Sequence, residues 1–168
     1  DNGNTWTITQ FLRLGNSGTG VVNLNSGTLD VLGTSGNPRG IRLGENAAGN
    51  GTLNIGVSGG SGTADPIVNN SGGNFETADQ GTGVVNMYSG TLNVLTNNLI
   101  VGQANNSNAT FNLFDGLVDI ARGAALLVHE AYATAGGFDH AFFYDSATDD
   151  EFHDKADASY KQSHGFVN

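Results

Sequence analysis

The chain has 168 residues, 38% of them hydrophobic and only 13% charged, with 26 glycines, no cysteine and a formal net charge of −10. That length fits one domain, and the missing cysteines exclude disulfides and thiol chemistry. The acidic balance argues against nucleic acid and anionic membrane as partners, since both would repel it. No segment is long and apolar enough for membrane insertion, no stretch reads as a signal peptide, and Asp1 reads as the start of a mature or trimmed chain.

Thr5-Trp6-Thr7-Ile8 alternates polar and apolar residues as a strand does, which puts Trp6 and Ile8 on one face. From Phe11 to Ala121 one phrase then returns four times: a short apolar strand ending near Gly, a Gly-rich turn, an apolar-Asn-apolar strand and a Gly-led strand. The first copy is Leu12-Arg13-Leu14-Gly15, Val22-Asn23-Leu24 and Gly27-Thr28-Leu29-Asp30-Val31. The second is Ile41-Arg42-Leu43-Gly44, Leu53-Asn54-Ile55 and, after an insertion, Gly62-Thr63-Ala64-Asp65. Phe75-Glu76-Thr77-Ala78, Val85-Asn86-Met87 and Gly90-Thr91-Leu92-Asn93-Val94 make the third. Leu99-Ile100-Val101-Gly102, Phe111-Asn112-Leu113 and Gly116-Leu117-Val118-Asp119-Ile120 make the fourth.

The anchor asparagines recur at intervals of about 30 residues, the period of a solenoid rather than of a globular sheet. Three short strands per copy predict an all-β chain: a right-handed parallel β-helix of about four three-strand coils over residues 1–123. Residues 124–168 form a distinct acidic, His-containing segment, either a cap or the start of another repeat. Two stretches interrupt the coils, a Gly and Ser loop from Gly56 to Gly62 and an irregular stretch from Pro66 to Gly73.

Alternation assigns the faces. The first wall buries Leu12, Leu14, Ile41, Leu43, Phe75, Leu99 and Val101; the second buries the apolar residues flanking each anchor Asn; the third buries Leu29, Val31, Leu92, Val94, Val118 and Ile120. Outward residues then stack into columns. Asn23, Asn54, Asn86 and Asn112 form one, beside Val21, Thr52, Val84 and Thr110. Arg13, Arg42, Glu76 and Ile100 form another, in which Arg42 and Glu76 are placed to pair. On the third wall Asp30, Asp65, Asn93 and Asp119 line up, and carboxylates adjacent at coil spacing repel unless a cation or partner group lies between them. These Asn and Asp ladders are the candidate ligand face.

Beyond Ala124 the character changes. Leu126 and Val128 still fit a first-wall strand, but the repeat's Asn never follows, and all four histidines and half of the 16 acidic residues lie at or beyond His129. Asp139, Asp145, Asp149 and Asp150 offer hard oxygen ligands and are the candidate metal set, with calcium as the one candidate cofactor. His129, His140, His153 and His164 match no zinc-ligand spacing.

The Gly-Thr-Gly-Val-Val-Asn, Ser-Gly-Thr-Leu-Asp-Val and Leu-Ile-Val-Gly phrases resemble the Gly-rich β-strand repeats of bacterial autotransporter passengers and of large secreted surface proteins with PEP-CTERM-type sorting signals. The tail, with Ala135-Gly136-Gly137-Phe138-Asp139 and Ser146-Ala147-Thr148-Asp149-Asp150, looks like a second repeat of giant secreted bacterial proteins. It is distantly similar to calcium-binding Gly-Gly-x-Gly-x-Asp β-rolls, with Phe138 and Thr148 where the second turn glycine belongs. The resemblance implies a secreted, extracellular or cell-surface location, and a scaffold or adhesin role.

No nucleophile or general base stands beside a second positioned group in the outward columns, so an enzyme is not expected. Strand edges left open at the two ends recruit further chain. The expected function is therefore that of an extracellular structural protein, a subunit of a bacterial surface filament, sheath or layer. Copies of itself are its partners, joined end to end with Trp6 and Ile8 at one end and Leu126 and Val128 at the other. The alternatives are a glycan-binding adhesin fragment, taking cell-surface or environmental polysaccharide, and a polysaccharide-active β-helix enzyme.

Overall fold

The computed structural model describes residues 3–33, 39–59, 65–121 and 126–128. The chain divides into Asp1–Ala131 and Tyr132–Asn168, and all the described residues belong to the first unit. They contain fourteen strands and no helix.

Each coil visits three walls in turn. The first has β1 (Thr5–Ile8), β2 (Leu12–Leu14) and β3 (Thr19–Leu24), and the second β4 (Thr28–Val31), β5 (Arg39–Leu43) and β6 (Asn50–Ile55). The third has β7 (Ile67–Asn70), β8 (Asn74–Glu76) and β9 (Thr82–Met87), and the fourth β10 (Thr91–Val94), β11 (Leu99–Val101) and β12 (Asn108–Leu113). A fifth begins with β13 (Leu117–Ile120) and β14 (Leu126–Val128). The first wall is the sheet β2-β5-β8-β11-β14, the second is β3-β6-β9-β12, and the third is β1-β4-β7-β10-β13. Every pairing is parallel and joins equivalent positions of consecutive coils. The chain is a parallel β-helix of three-strand coils, as the repeat predicts.

The alternating residues of the three walls meet inside. Leu29, Val31, Ile41, Leu43, Leu53, Ile55, Phe75, Val85, Met87, Leu92 and Val94 have no exposed surface. Burying one such side chain is worth about 1.5–3 kcal/mol, so stacked coils supply the stability that no disulfide provides. Glycine is needed at and beside the corners for two separate reasons. Gly44 follows β5 with φ 54, a left-handed conformation that L side chains resist. Gly83 has no such torsion, but a Cβ there would run into the Thr77 carbonyl of the adjacent corner.

Three expectations change. The third-wall strand expected at Gly62-Thr63-Ala64-Asp65, in the second copy of the repeat, is instead β7, four residues further on, inside the stretch expected to be irregular. Its register sets Asp30 beside Asn69 and Asn69 beside Asn93, so Asp65 is outside the ladder, exposed on the approach to Pro66. The reason is packing: Ile67-Val68-Asn69-Asn70 delivers Val68 to the core with no exposure, whereas the expected segment has only an alanine to deliver. Asn70 enters the core as well, where its amide donates to the Gly73 carbonyl at 2.6 Å.

The second change concerns the column of Arg13, Arg42 and Glu76, which faces outward: Arg13 is exposed as expected, but Arg42 and Glu76 are largely covered. The third concerns the ends: Trp6 occupies the column of Leu29 yet is 56% exposed, since no described strand covers β1.

Candidate functional site

Three outward surfaces and two ends carry the polar chemistry. On the second wall, the four anchor asparagines form an unbroken amide ladder. Asn54 Nδ2 donates to Asn23 Oδ1 at 2.6 Å, Asn86 Nδ2 to Asn54 Oδ1 at 2.8 Å, and Asn112 Nδ2 to Asn86 Oδ1 at 2.8 Å. All three bonds run in the same direction along the axis. Identical residues stack in this way because the six-residue strands of this wall pair without a register shift.

The third wall carries a mixed ladder. Asn69 Nδ2 donates to Asp30 Oδ1 at 2.6 Å and Asn93 Nδ2 to Asn69 Oδ1 at 2.8 Å, while Asp119 lies beside Asn93 in register. With Asn69 in the position expected of Asp65, no two carboxylates are adjacent. Asp30 and Asp119 stand three rungs apart, about 14 Å at the spacing of β strands, and the repulsion that called for a bridging cation does not arise.

The first wall holds an ion cluster centred on Arg42. Its Nη2 donates to Glu76 Oε1 at 3.0 Å and its Nε pairs with Glu76 Oε2, a two-pronged contact across adjacent coils. Its Nη1 reaches Asp79 Oδ2 at 2.9 Å and Glu45 Oε1 at 3.4 Å. Arg13 Nε pairs with Glu45 Oε2 at 2.8 Å, and its guanidinium lies 4.4 Å from the centre of the Phe11 ring. The side chain of Glu76 is 2% exposed and that of Arg42 12%. Burial pushes the Glu76 carboxyl above its ordinary range, and the Arg42 hydrogen bond and charge pull it part of the way back. Burial also opposes the charge on Arg42, but the Glu76 hydrogen bond and three carboxylates outweigh it and hold the guanidinium above its ordinary value. Pairing of Arg42 with Glu76 was legible in the repeat; Glu45 and Asp79 were not, because they come from the corners after β5 and β8.

At both ends of the described coils the inward columns are exposed: Trp6 is 56%, Leu113 53% and Leu126 46% exposed. Phe114 and Leu117, 64% and 58% exposed, lie outside those columns. Ile8 is half-buried, and Val128 lies in β14, paired with Val101. Sequence reasoning also missed an aromatic pair: Tyr88 and Phe114 stack with ring centres 5.0 Å apart and planes 3° from parallel. Each stands two residues beyond a ladder asparagine, and that shared offset was the available signal.

Among the described residues no three His, Cys, Asp or Glu side chains are grouped to hold a metal ion. The set Asp139, Asp145, Asp149 and Asp150, and with it the calcium expectation, lies outside the described residues. Among those described, no helix is long and apolar enough to cross a membrane.

Fold and surfaces together define a parallel β-helix solenoid with one neutral amide-laddered wall, one acid-and-amide wall and one ion-paired wall. The chain matches no protein-family model, no curated protein and no solved structure.

Proposed function

We propose that this is an extracellular structural protein, a subunit of a bacterial surface filament, sheath or layer whose copies join end to end through β-strand edges. The observation that supports it is the pair of uncovered ends. The outer edge of β1 and those of β13 and β14 bear no described strand, and the inward apolar columns reach both ends with Trp6, Leu113 and Leu126 exposed. Unpaired edges of this kind template the addition of another chain, and head-to-tail contacts that do not close give open fibres. The walls support a non-catalytic reading. Two carry Asn, Thr, Val and Asp in ladders, and the carboxylates of the third are tied to Arg13 and Arg42. The extracellular bacterial setting rests on the resemblance of the Gly-rich phrases to secreted surface repeats.

Trp6 is the only tryptophan, which makes assembly directly visible. On raising the protein concentration, emission from Trp6 shifts to the blue as light scattering grows, and electron microscopy finds fibres of uniform width. Removing residues 1 to 10, which takes Trp6 with it, abolishes the growth of light scattering and the fibres. A monomer whose Trp6 emission is the same at every concentration refutes the proposal, and so does assembly that survives the truncation.

A further inference from the structure

We infer that the outer face of the second wall is a binding surface for a neutral polysaccharide chain. This inference is independent of end-to-end assembly, because the face is a side of the solenoid and not an end.

In a chain of net charge −10, the outward positions of β3, β6, β9 and β12 contain no ionisable residue at all. They hold only Thr, Asn and Val, repeated over four coils at about 4.8 Å along the axis and about 6.6 Å along each strand. A face without charge removes the repulsion that an anionic face would offer and the attraction that a basic face would give to acidic polymers. Solubility alone would favour the opposite arrangement.

The hydrogen-bonding capacity of the face is ordered and only partly used. An asparagine amide has two N–H groups, and each ladder bond consumes one. Each rung therefore keeps a second N–H, on a side chain whose rotamer the ladder already holds in place. The entropy of ordering those side chains is spent in folding, which lowers what binding must supply. Thr52 and Thr110 add hydroxyls that both donate and accept. Val21 and Val84 alternate with them and offer methyl groups. A sugar polymer presents the complementary pattern, hydroxyl edges beside apolar C–H faces.

The aromatic pair points to the same ligand. Tyr88 and Phe114 extend the rows of Asn86 and Asn112 at the edge of this face, stacked at 5.0 Å, with Phe114 64% exposed. An amide ladder flanked by an exposed aromatic platform combines hydrogen bonds for ring hydroxyls with a flat apolar surface for a pyranose face, the mixture of apolar lining and a few placed polar groups that ligand sites use. Nucleic acid would also stack on such rings, but its phosphates find no cation here and meet a strongly acidic protein.

The test is co-sedimentation of the 168-residue chain with microcrystalline cellulose, chitin and insoluble xylan. At least one is expected to retain it, with the same affinity at 50 mM and 500 mM NaCl, as a charge-free interface requires. The double variant Val21→Glu/Thr110→Glu places two carboxylates on exposed positions of the face, and Phe114→Ala removes the platform. Each is expected to weaken retention about tenfold, with an unchanged far-ultraviolet circular dichroism spectrum and unchanged Trp6 emission. Should the double variant misfold, Thr110→Glu alone serves the same purpose. The inference is overturned if none of the three polymers retains the chain, if the carboxylates leave retention as it was, if retention collapses with salt, or if the face instead shapes ice crystals while ignoring all three. Scattering measured on the same samples keeps the assembly proposal separate, since a monomer that binds glycan refutes assembly and leaves this inference standing.

Discussion

Replacing Arg42 with Met tests the ion cluster of the first wall most directly. Met keeps the length of the side chain and its packing but leaves Glu76, 2% exposed, without its two-pronged partner, and removes the nearest cation from Asp79. Breaking a buried pair from one side costs about 3–5 kcal/mol. The lower figure applies here, because Glu45 keeps Arg13 and the cluster lies at the margin of the solenoid. In urea, where ΔG falls by about 1–3 kcal/mol per molar, about 3 kcal/mol moves the midpoint down by about 1–3 M. The deficit also depends on pH. Burial raises the Glu76 carboxyl, and the opposing pull comes first from Arg42, so the variant's carboxyl rises further. A folded-state value above the unfolded one means that the folded protein binds the extra proton, so stability falls as pH climbs from the ordinary carboxylate value of 4.5 through the folded value. The gap between variant and parent is therefore smallest near pH 4.5 and widens as pH climbs through the variant's raised folded value. Arg42→Met/Glu76→Leu, which removes both charges, recovers most of the loss, as apolar replacements of buried pairs do. The assay is urea denaturation followed by circular dichroism from pH 4.5 to 8. A single-variant deficit below about 1 kcal/mol, flat across that range, would mean that water screens the cluster like an ordinary surface pair, and the reasoning would fail.

Two further predictions concern the ladder and the corners. Asp65→Ala changes stability by less than about 0.5 kcal/mol, while Asn69→Ala loses its bonds to Asp30 and from Asn93, about 2 kcal/mol in all at roughly 1 kcal/mol each; equal effects in thermal melts would return Asp65 to the ladder. Gly83→Ala destabilises by about 3 kcal/mol or more, because the new methyl meets the Thr77 carbonyl, which belongs to backbone that cannot swing aside; a melting temperature within a degree of the parent's would refute this.

Much of this was legible in the residues. The solenoid follows from a repeating phrase, and the inward columns from strict alternation, so Leu29, Leu53, Val85 and Leu92 fell in the core without any knowledge of their neighbours. The asparagine ladder and the facing of Arg42 and Glu76 came the same way, since a repeat of one supersecondary unit puts equivalent positions in register. The inference broke where the repeat broke. The insertion after Gly56 hid the position of β7, and Asn70, a polar residue at an inward position, disguised the strand further. Asp65 was therefore assigned to a ladder that Asn69 occupies.

Local pattern determined the class of fold, the three walls and the identity of each outward column, because a strand's alternation and a coil's period are both short-range properties of sequence. Only the stacked coils decided how deeply each column is buried, where the chain re-enters register after an interruption, and which corner residues reach a neighbouring wall. Glu45 and Asp79 close over Arg42, Tyr88 meets Phe114, and Trp6 lies open despite facing inward. In each case the outcome depends on which coil lies above or below, and exposure is a property of neighbours that no single repeat contains.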